Sequence, residues 1–146
     1  SKWCCKTKKK TMKSYNGFTP KQRTDAFIWL KGEYASGRRT KGKVCDACGQ
    51  TKGIVEDHSE DYSYPYGDHI GKYTFCYRCH MMIHCRFRNR LAWSKYKDDI
   101  REGKRFEPFY TRNFRGFAVE SLNNRGMEIN YEKHEKQPET VLDEIG

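Results

Sequence analysis

The sequences CDAC at 45–48 and CYRCHMMIH at 76–84 decide the fold of this chain. A Cys-x-x-Cys turn brings two thiolates to one ion, and two such turns complete the closed, all-sulfur tetrahedron of structural zinc sites. A redox dithiol needs only one such pair. The spacing therefore predicts a structural Zn²⁺ ion bound by four thiolates, those of Cys45, Cys48, Cys76 and Cys79.

The composition explains why such an ion is needed. The chain has 146 residues, the size of one domain, but only 36% are hydrophobic, 33% are charged and the mean hydropathy is −1.05. A core this thin usually needs a metal or disulfide, and structural zinc supplies ~10–16 kcal/mol of apparent binding energy in small peptides.

The first twenty residues contain a lysine run and no apolar segment typical of a signal peptide. No run of about 18 apolar residues predicts a membrane span. We therefore expect a reduced, intracellular protein located in the cytoplasm, without a membrane partner.

The net charge of +10 favours a polyanionic partner, and it is unevenly distributed. Residues 1–43 contain 13 Lys/Arg against 2 Asp/Glu, whereas residues 120–146 contain 3 against 7. A solvated surface would explain the sum better than the asymmetry, so the pattern predicts that nucleic acid binds toward the N-terminal side.

Local signals divide the chain into five segments. Thr19, Pro20 and Gln22 form a capping box that predicts a helix ending near Gly37. Apolar spacing predicts a second helix that ends near Gly103. The segments are a flexible basic arm (1–17), a helix with a basic loop (18–43), a zinc-bound core (44–90), a C-terminal helix with an aromatic and basic stretch (91–125), and an acidic tail (126–146).

A second metal site is predicted between and beside the cysteine pairs. His80 and His84 stand four residues apart, so on a helix both imidazoles can bind one ion. Asp57 is the expected third ligand. On an extended segment His58 faces away from Asp57, where it could accept a proton from water.

Residues 45–86 resemble the HNH, or ββα-metal, nuclease family. The resemblance is carried by the first cysteine pair, Asp57-His58, and the FCYRCH ending at 75–80 with His84, and the run HSEDYSYP at 58–65 is similar to small phage and bacterial HNH proteins. It implies an α+β ββα-metal core in a bacterial cell or phage-infected host. It also implies that Asp57, His80 and His84 bind the catalytic ion, that His58 is the general base, and that the helix bearing His80 lies at the minor groove.

The family often has an Asn where this chain has Gly71, so its orienting role is either unfilled or taken by His69 or Asp61. Asp68-His69 is a rival to Asp57-His58, but it lies only 11 residues before His80. That spacing is too short for a strand and its return connection.

The resemblance and charge together predict a metal-dependent DNA endonuclease that acts on double-stranded DNA, with Mg²⁺ or Mn²⁺, or alternatively Ni²⁺ or Zn²⁺, as the catalytic ion. Cutting both strands requires two sites, which a homodimer would supply. The alternatives are a non-catalytic zinc-ribbon module that binds nucleic acid, and a ribonuclease. The basic residues expected to bind nucleic acid are Lys8, Lys9, Lys10, Arg38, Arg39, Arg78, Arg86, Arg88 and Arg90.

Overall fold

A computed structural model describes residues 12–123 and 129–146, which form five α-helices and two small antiparallel sheets. The predicted α+β class is therefore confirmed at this level. The elements are α1 (Pro20–Ala35), β1 (Val55–His58), β2 (Tyr73–Cys76), α2 (Tyr77–Cys85), α3 (Arg90–Arg101), β3 (Lys104–Phe106), α4 (Phe114–Phe117), a π-helical turn (Ala118–Leu122), β4 (Tyr131–Lys133) and α5 (Val141–Ile145). Most of the predicted basic arm lies outside the described residues.

The chain divides into two compact units. Unit 1 comprises the described residues up to Thr40 together with Ser59–Lys72, and unit 2 comprises Lys41–His58 and Tyr73–Gly146. Unit 2 begins close to the predicted start of the zinc-bound core at residue 44.

Unit 1 is built on α1, which begins as its sequence predicts. The Thr19 side chain accepts a hydrogen bond from the Gln22 backbone, and the Gln22 side chain accepts one from the Thr19 backbone. Leu30, with Ala26, packs on Ile70 in a small apolar cluster. Phe27, on the same helix, is exposed.

Gly71 has a structural reason to be glycine. Its φ of +61° is unfavourable for other residues, and a Cβ atom there would lie 2.7 Å from Leu30 Cδ2. Its N–H also donates to the Ser59 hydroxyl at 2.6 Å. A bulkier side chain at this position would clash with the core of unit 1.

Unit 2 places two strands and a helix in direct succession. β1 pairs antiparallel with β2 in a register that sets Val55 opposite Cys76 and His58 opposite Tyr73. β2 then runs without a loop into α2, since Cys76 is the N-cap of that helix and accepts from the Cys79 N–H. This arrangement brings the two cysteine pairs and all three histidines of the predicted sites into one unit.

The core of unit 2 lies under these elements. Phe75, Met82, Ile83 and Trp93 are fully buried, and α5 adds the buried Leu142. In the aromatic stretch, Phe106, Phe109 and Phe117 pack on this core, whereas Tyr110 and Phe114 are exposed. α3 ends at Arg101, two residues before Gly103, as predicted.

Over the described residues, no helix combines the length and apolar character that crossing a membrane requires.

Candidate metal centres

The four predicted cysteines converge on one point, and we call them the cysteine cluster (Cys45, Cys48, Cys76 and Cys79). Their sulfur atoms all lie within 4.8 Å of one another, and the Cys48 and Cys76 sulfurs are 3.7 Å apart. Two Zn–S bonds of ~2.3 Å at a tetrahedral angle would place their sulfurs ~3.8 Å apart. The cluster can therefore hold a structural metal such as zinc, and all four residues are free of disulfides.

Backbone hydrogen bonds position the first cysteine pair. The Gly49 N–H donates to the Cys45 carbonyl at 2.9 Å, and the Cys45 N–H donates to the Gln50 carbonyl at 2.9 Å. The Asp46 N–H donates to the Thr74 carbonyl, and the Thr74 N–H donates to the Asp46 carboxylate. The turn is thus attached to β2, the strand that ends at the second pair.

The electrostatics of the cysteine cluster suit a cation. Hydrogen bonds from the Cys48, Cys76 and Cys79 thiols hold the pKa of Cys45 far below its ordinary value. The thiol hydrogen bonds of the cluster, with burial, raise the pKa of Cys79 well above its ordinary value. A metal ion would replace the protons that these sulfurs otherwise share.

A second group of donors, which we call the imidazole cluster (His58, His80 and His84), forms beside the β1–β2 sheet. The nitrogen atoms concerned all lie within 4.8 Å of one another, and His80 Nε2 and His84 Nε2 are 3.0 Å apart. The His58 ring lies 4.9 Å from the His80 ring and 5.1 Å from the His84 ring, centroid to centroid. The predicted pairing of His80 with His84 on one face of α2 is therefore present.

The pleat of β1 decides which side chains meet α2. Glu56 and His58 are two residues apart and both contact His80, so they share the face of β1 that looks toward α2. Asp57 lies between them and faces the other side. Among the residues that the structure describes, the donor atoms gathered around His80 and His84 include that of His58 and not that of Asp57. The three-donor group therefore contains His58 where Asp57 was expected, and a role for Asp57 at the ion stays a prediction.

Glu56 is a carboxylate that contacts the imidazole cluster. Its Oε1 atom lies 2.8 Å from His80 Nδ1, and its two oxygens accept from Arg112 at 3.1 and 2.5 Å. Burial opposes ionisation of Glu56, but the hydrogen bonds and charges of His80 and Arg112 outweigh it and lower its pKa to about 2. Glu56 is thus an anion that only accepts hydrogen bonds at neutral pH.

The donor geometry fits one divalent ion. Two metal–nitrogen bonds of ~2.1 Å that meet at about a right angle place the nitrogens ~3.0 Å apart, which is the observed His80–His84 separation. With the Nδ1 atom of His80 occupied by Glu56, its Nε2 atom is the one available to a metal. His58 is buried, and its donor nitrogen lies within 4.8 Å of those of His80 and His84.

Two of the arginines predicted to bind nucleic acid are inside the protein. Arg78 is 6% exposed and Arg86 is 3% exposed. Arg78 pairs with Glu120 at 2.9 Å and stacks on Phe109, while Arg86 donates to the Ile83 carbonyl. Their burial contradicts the predicted role, because these guanidinium groups already have partners that a phosphate would have to displace.

The other predicted basic residues differ among themselves. Arg88 and Arg90 are exposed, and Arg90 begins α3. In unit 1, Arg38 pairs with Glu33 and Arg39 donates to the Ile70 and Gly71 carbonyls. Lys8, Lys9 and Lys10 lie outside the described residues.

The rival histidine and the proposed substitutes for the family Asn organise their own loop. The ring of His69 lies 2.7 Å from the Ser63 carbonyl, and Asp61 accepts from the Ser63 N–H at 2.9 Å. All three residues belong to unit 1, whereas the imidazole cluster belongs to unit 2.

Sequence reasoning missed Glu56 and Arg112. Glu56 could have been found, since it stands two positions before His58 on a predicted extended segment and must share its face. Arg112 lies 56 residues further along the chain, and no local pattern connects the two.

No family model, no curated protein and no solved structure matches this chain. Any functional conclusion rests on the site itself.

Proposed function

We propose that this protein is a metal-dependent DNA endonuclease with an HNH-type ββα-metal core. The observation that carries the proposal is the convergence of three imidazoles, from one strand and one helix, in a unit that also contains a cysteine cluster suited to structural zinc. A binding module needs only the cysteine cluster. Three histidines gathered around one point are suited to chemistry at a phosphate.

In this proposal His80 and His84 hold the catalytic ion through their Nε2 atoms. A divalent ion bound there would neutralise charge on the phosphate and stabilise the leaving 3′ oxygen. Nitrogen donors favour Mn²⁺, Ni²⁺ or Zn²⁺ more than they favour Mg²⁺, which prefers oxygen ligands. Because the three-donor group consists of imidazoles, Mn²⁺ becomes the first ion to test.

His58 acts as the general base. Its ring faces both ion-binding imidazoles, and an imidazole has an unperturbed pKa of ~6.5, which suits proton acceptance near neutral pH. Its place on β1 fixes the ring against Phe75, at 5.6 Å between centroids. His58 therefore needs little reorganisation to take a proton from the attacking water.

Charge supports DNA as the substrate. The chain carries +10 overall, and Arg88, which follows α2, and Arg90, which begins α3, are both exposed. Each phosphate neutralised should contribute about −0.9 to the slope of log affinity against log salt. The ion site itself would contact only the backbone, so it carries no sequence preference.

The test is cleavage of supercoiled plasmid, with single-stranded DNA and RNA as parallel substrates and with each divalent ion added separately. His58→Ala should reduce cleavage by about 10²–10⁴-fold, the usual contribution of a general base, while the protein still binds Mn²⁺. His69→Ala, which removes an imidazole from unit 1, is the matched control and should cut at the wild-type rate.

Three outcomes would count against the proposal. Full activity in His58→Ala would show that His58 is not the general base. Cleavage of RNA alone would make the protein a ribonuclease. Absence of scission with every ion, together with DNA binding, would leave a zinc-ribbon binding module.

A further inference from the structure

His80 has both ring nitrogens engaged, on opposite sides. Its Nδ1 atom lies 2.8 Å from Glu56 Oε1, and its Nε2 atom lies 3.0 Å from His84 Nε2. Glu56 lies on β1, whereas both histidines lie on α2. The helix and the strand therefore meet through this carboxylate as well as through the core.

These contacts determine which nitrogen of His80 carries the proton. An ionised carboxylate has no hydrogen to give, so in neutral His80 the shared hydrogen must be on Nδ1. The lone pair then sits on Nε2, on the side of His84. A histidine that binds a metal through one nitrogen commonly donates the other N–H to a carboxylate in this way.

Arg112 holds the same carboxylate from the other side. Its NH1 and NH2 groups donate to the two oxygens of Glu56 in a forked arrangement that fixes the plane of the carboxylate. The Glu56 side chain is 20% exposed and that of Arg112 is 63% exposed, so the arginine covers the acid from the solvent side.

We propose that Glu56 and Arg112 are positioning residues for the imidazole cluster: Glu56 fixes the Nδ1–H tautomer of His80, which directs Nε2 at a divalent ion, and Arg112 fixes Glu56. The inference rests on the ion site of the proposed function, and it does not depend on what the site cleaves. Neither residue is assigned contact with the reacting atoms.

The first measurement is the tautomer of His80, read from the ¹⁵N chemical shifts of its two ring nitrogens at neutral pH with no divalent ion added. The wild-type protein should give the Nδ1–H form. Glu56→Ala should give a mixture or the Nε2–H form, and Glu56→Gln, which keeps an acceptor oxygen, should restore most of the Nδ1–H form. A wild-type spectrum of the Nε2–H form would overturn the inference outright.

The second measurement is Mn²⁺ affinity by electron paramagnetic resonance. Glu56→Ala should weaken binding by about 10–100-fold, the usual loss when such a partner of a ligand is removed. Arg112→Ala should weaken it by less, and Arg112→Lys should recover part of the loss. Glu132→Gln and Arg115→Ala, at exposed positions of the same unit, are the matched controls and should bind as the wild type does.

Cleavage measured against Mn²⁺ concentration separates this inference from the proposed function. The Glu56→Ala curve should shift to higher Mn²⁺ with kcat largely recovered at saturation. If the wild-type protein binds Mn²⁺ but cuts nothing, the nuclease proposal fails while the tautomer and affinity results still decide this inference. Unchanged tautomer and affinity in Glu56→Ala, in a protein that retains its zinc and its unfolding temperature, would refute it.

Discussion

The cysteine cluster and the imidazole cluster are neighbours in sequence but differ in the donor atoms that they offer and in how far these are buried. Both take donors from the start of α2, where Cys79 and His80 are adjacent. The cysteine cluster offers four sulfurs, three of them buried, and so completes a coordination shell from protein alone. The imidazole cluster offers nitrogens of which two, on His80 and His84, are only partly buried.

That difference follows from how the two clusters are enclosed. The first cysteine turn is attached to β2 by two hydrogen bonds between Asp46 and Thr74, and its partner cysteines lie at the N-cap and in the first turn of α2. In the imidazole cluster, His80 is instead held by a side-chain contact with Glu56, which Arg112 holds in turn. A closed shell retains its ion and supports the fold, whereas an open shell leaves coordination positions for a substrate.

The largest effect should come from disrupting the cysteine cluster, whose four sulfurs would form a closed coordination shell around zinc. Replacing Cys79 with Ser removes one of four thiolates and should abolish stable folding, because zinc sites supply ~10–16 kcal/mol against a typical total stability of about 5–15 kcal/mol. Zinc content and circular dichroism of the purified variant would measure it. His80→Ala, the adjacent change in the open shell, should keep both.

Cys85→Ala is the matched control for that substitution. Cys85 is buried in the same helix but outside the cysteine cluster, so its loss should cost only a small cavity. A Cys79→Ser protein that binds zinc and unfolds at the wild-type temperature would contradict the assignment of the closed shell.

A smaller effect should appear when ions are removed from the intact protein. With Mn²⁺ added, the chain should carry one ion in each cluster. A brief exposure to EDTA should remove the Mn²⁺ and leave the zinc, since only the imidazole cluster is open. Elemental analysis before and after a desalting column would give both stoichiometries. Loss of both ions at the same rate would mean that the cysteine cluster does not enclose its ion more completely than the imidazole cluster does.

The cysteine cluster could be predicted from sequence because its information is local. Two Cys-x-x-Cys turns fix their own geometry, and the partners need only meet. The pairing of His80 with His84 could be predicted for the same reason, since residues four positions apart on a helix lie on the same face.

The third member of the imidazole cluster could not be predicted with the same security. Alternation along β1 separates Asp57 from His58, but it does not say which of the two faces α2. The register that pairs Val55 with Cys76 decides this, and it depends on packing across the sheet. Arg78 was misjudged for a similar reason, because the Phe106 and Phe109 rings that enclose it come from a distant segment.

The smallest effect should come from a residue that contacts a ligand of the cysteine cluster in the way that Glu56 contacts His80. The Tyr96 hydroxyl lies 3.1 Å from the Cys79 sulfur, and burial together with the neighbouring thiolates raises the pKa of Tyr96 well above its ordinary value. Its O–H therefore stays protonated and would donate to Cys79 once that sulfur binds zinc as a thiolate. Tyr96→Phe removes that donor, and a hydrogen bond to a charged group contributes about 1.5–3 kcal/mol.

We expect Tyr96→Phe to bind zinc about tenfold or more weakly, because 1.4 kcal/mol corresponds to a factor of ten. Competition with a chromophoric chelator would measure this, with Tyr110→Phe, an exposed hydroxyl of the same unit, as the control. Unchanged zinc affinity in Tyr96→Phe, beside a loss in Glu56→Ala, would mean that only the open shell depends on partners beyond its ligands. The closed shell would then be self-sufficient, since four thiolates on two rigid turns already orient one another.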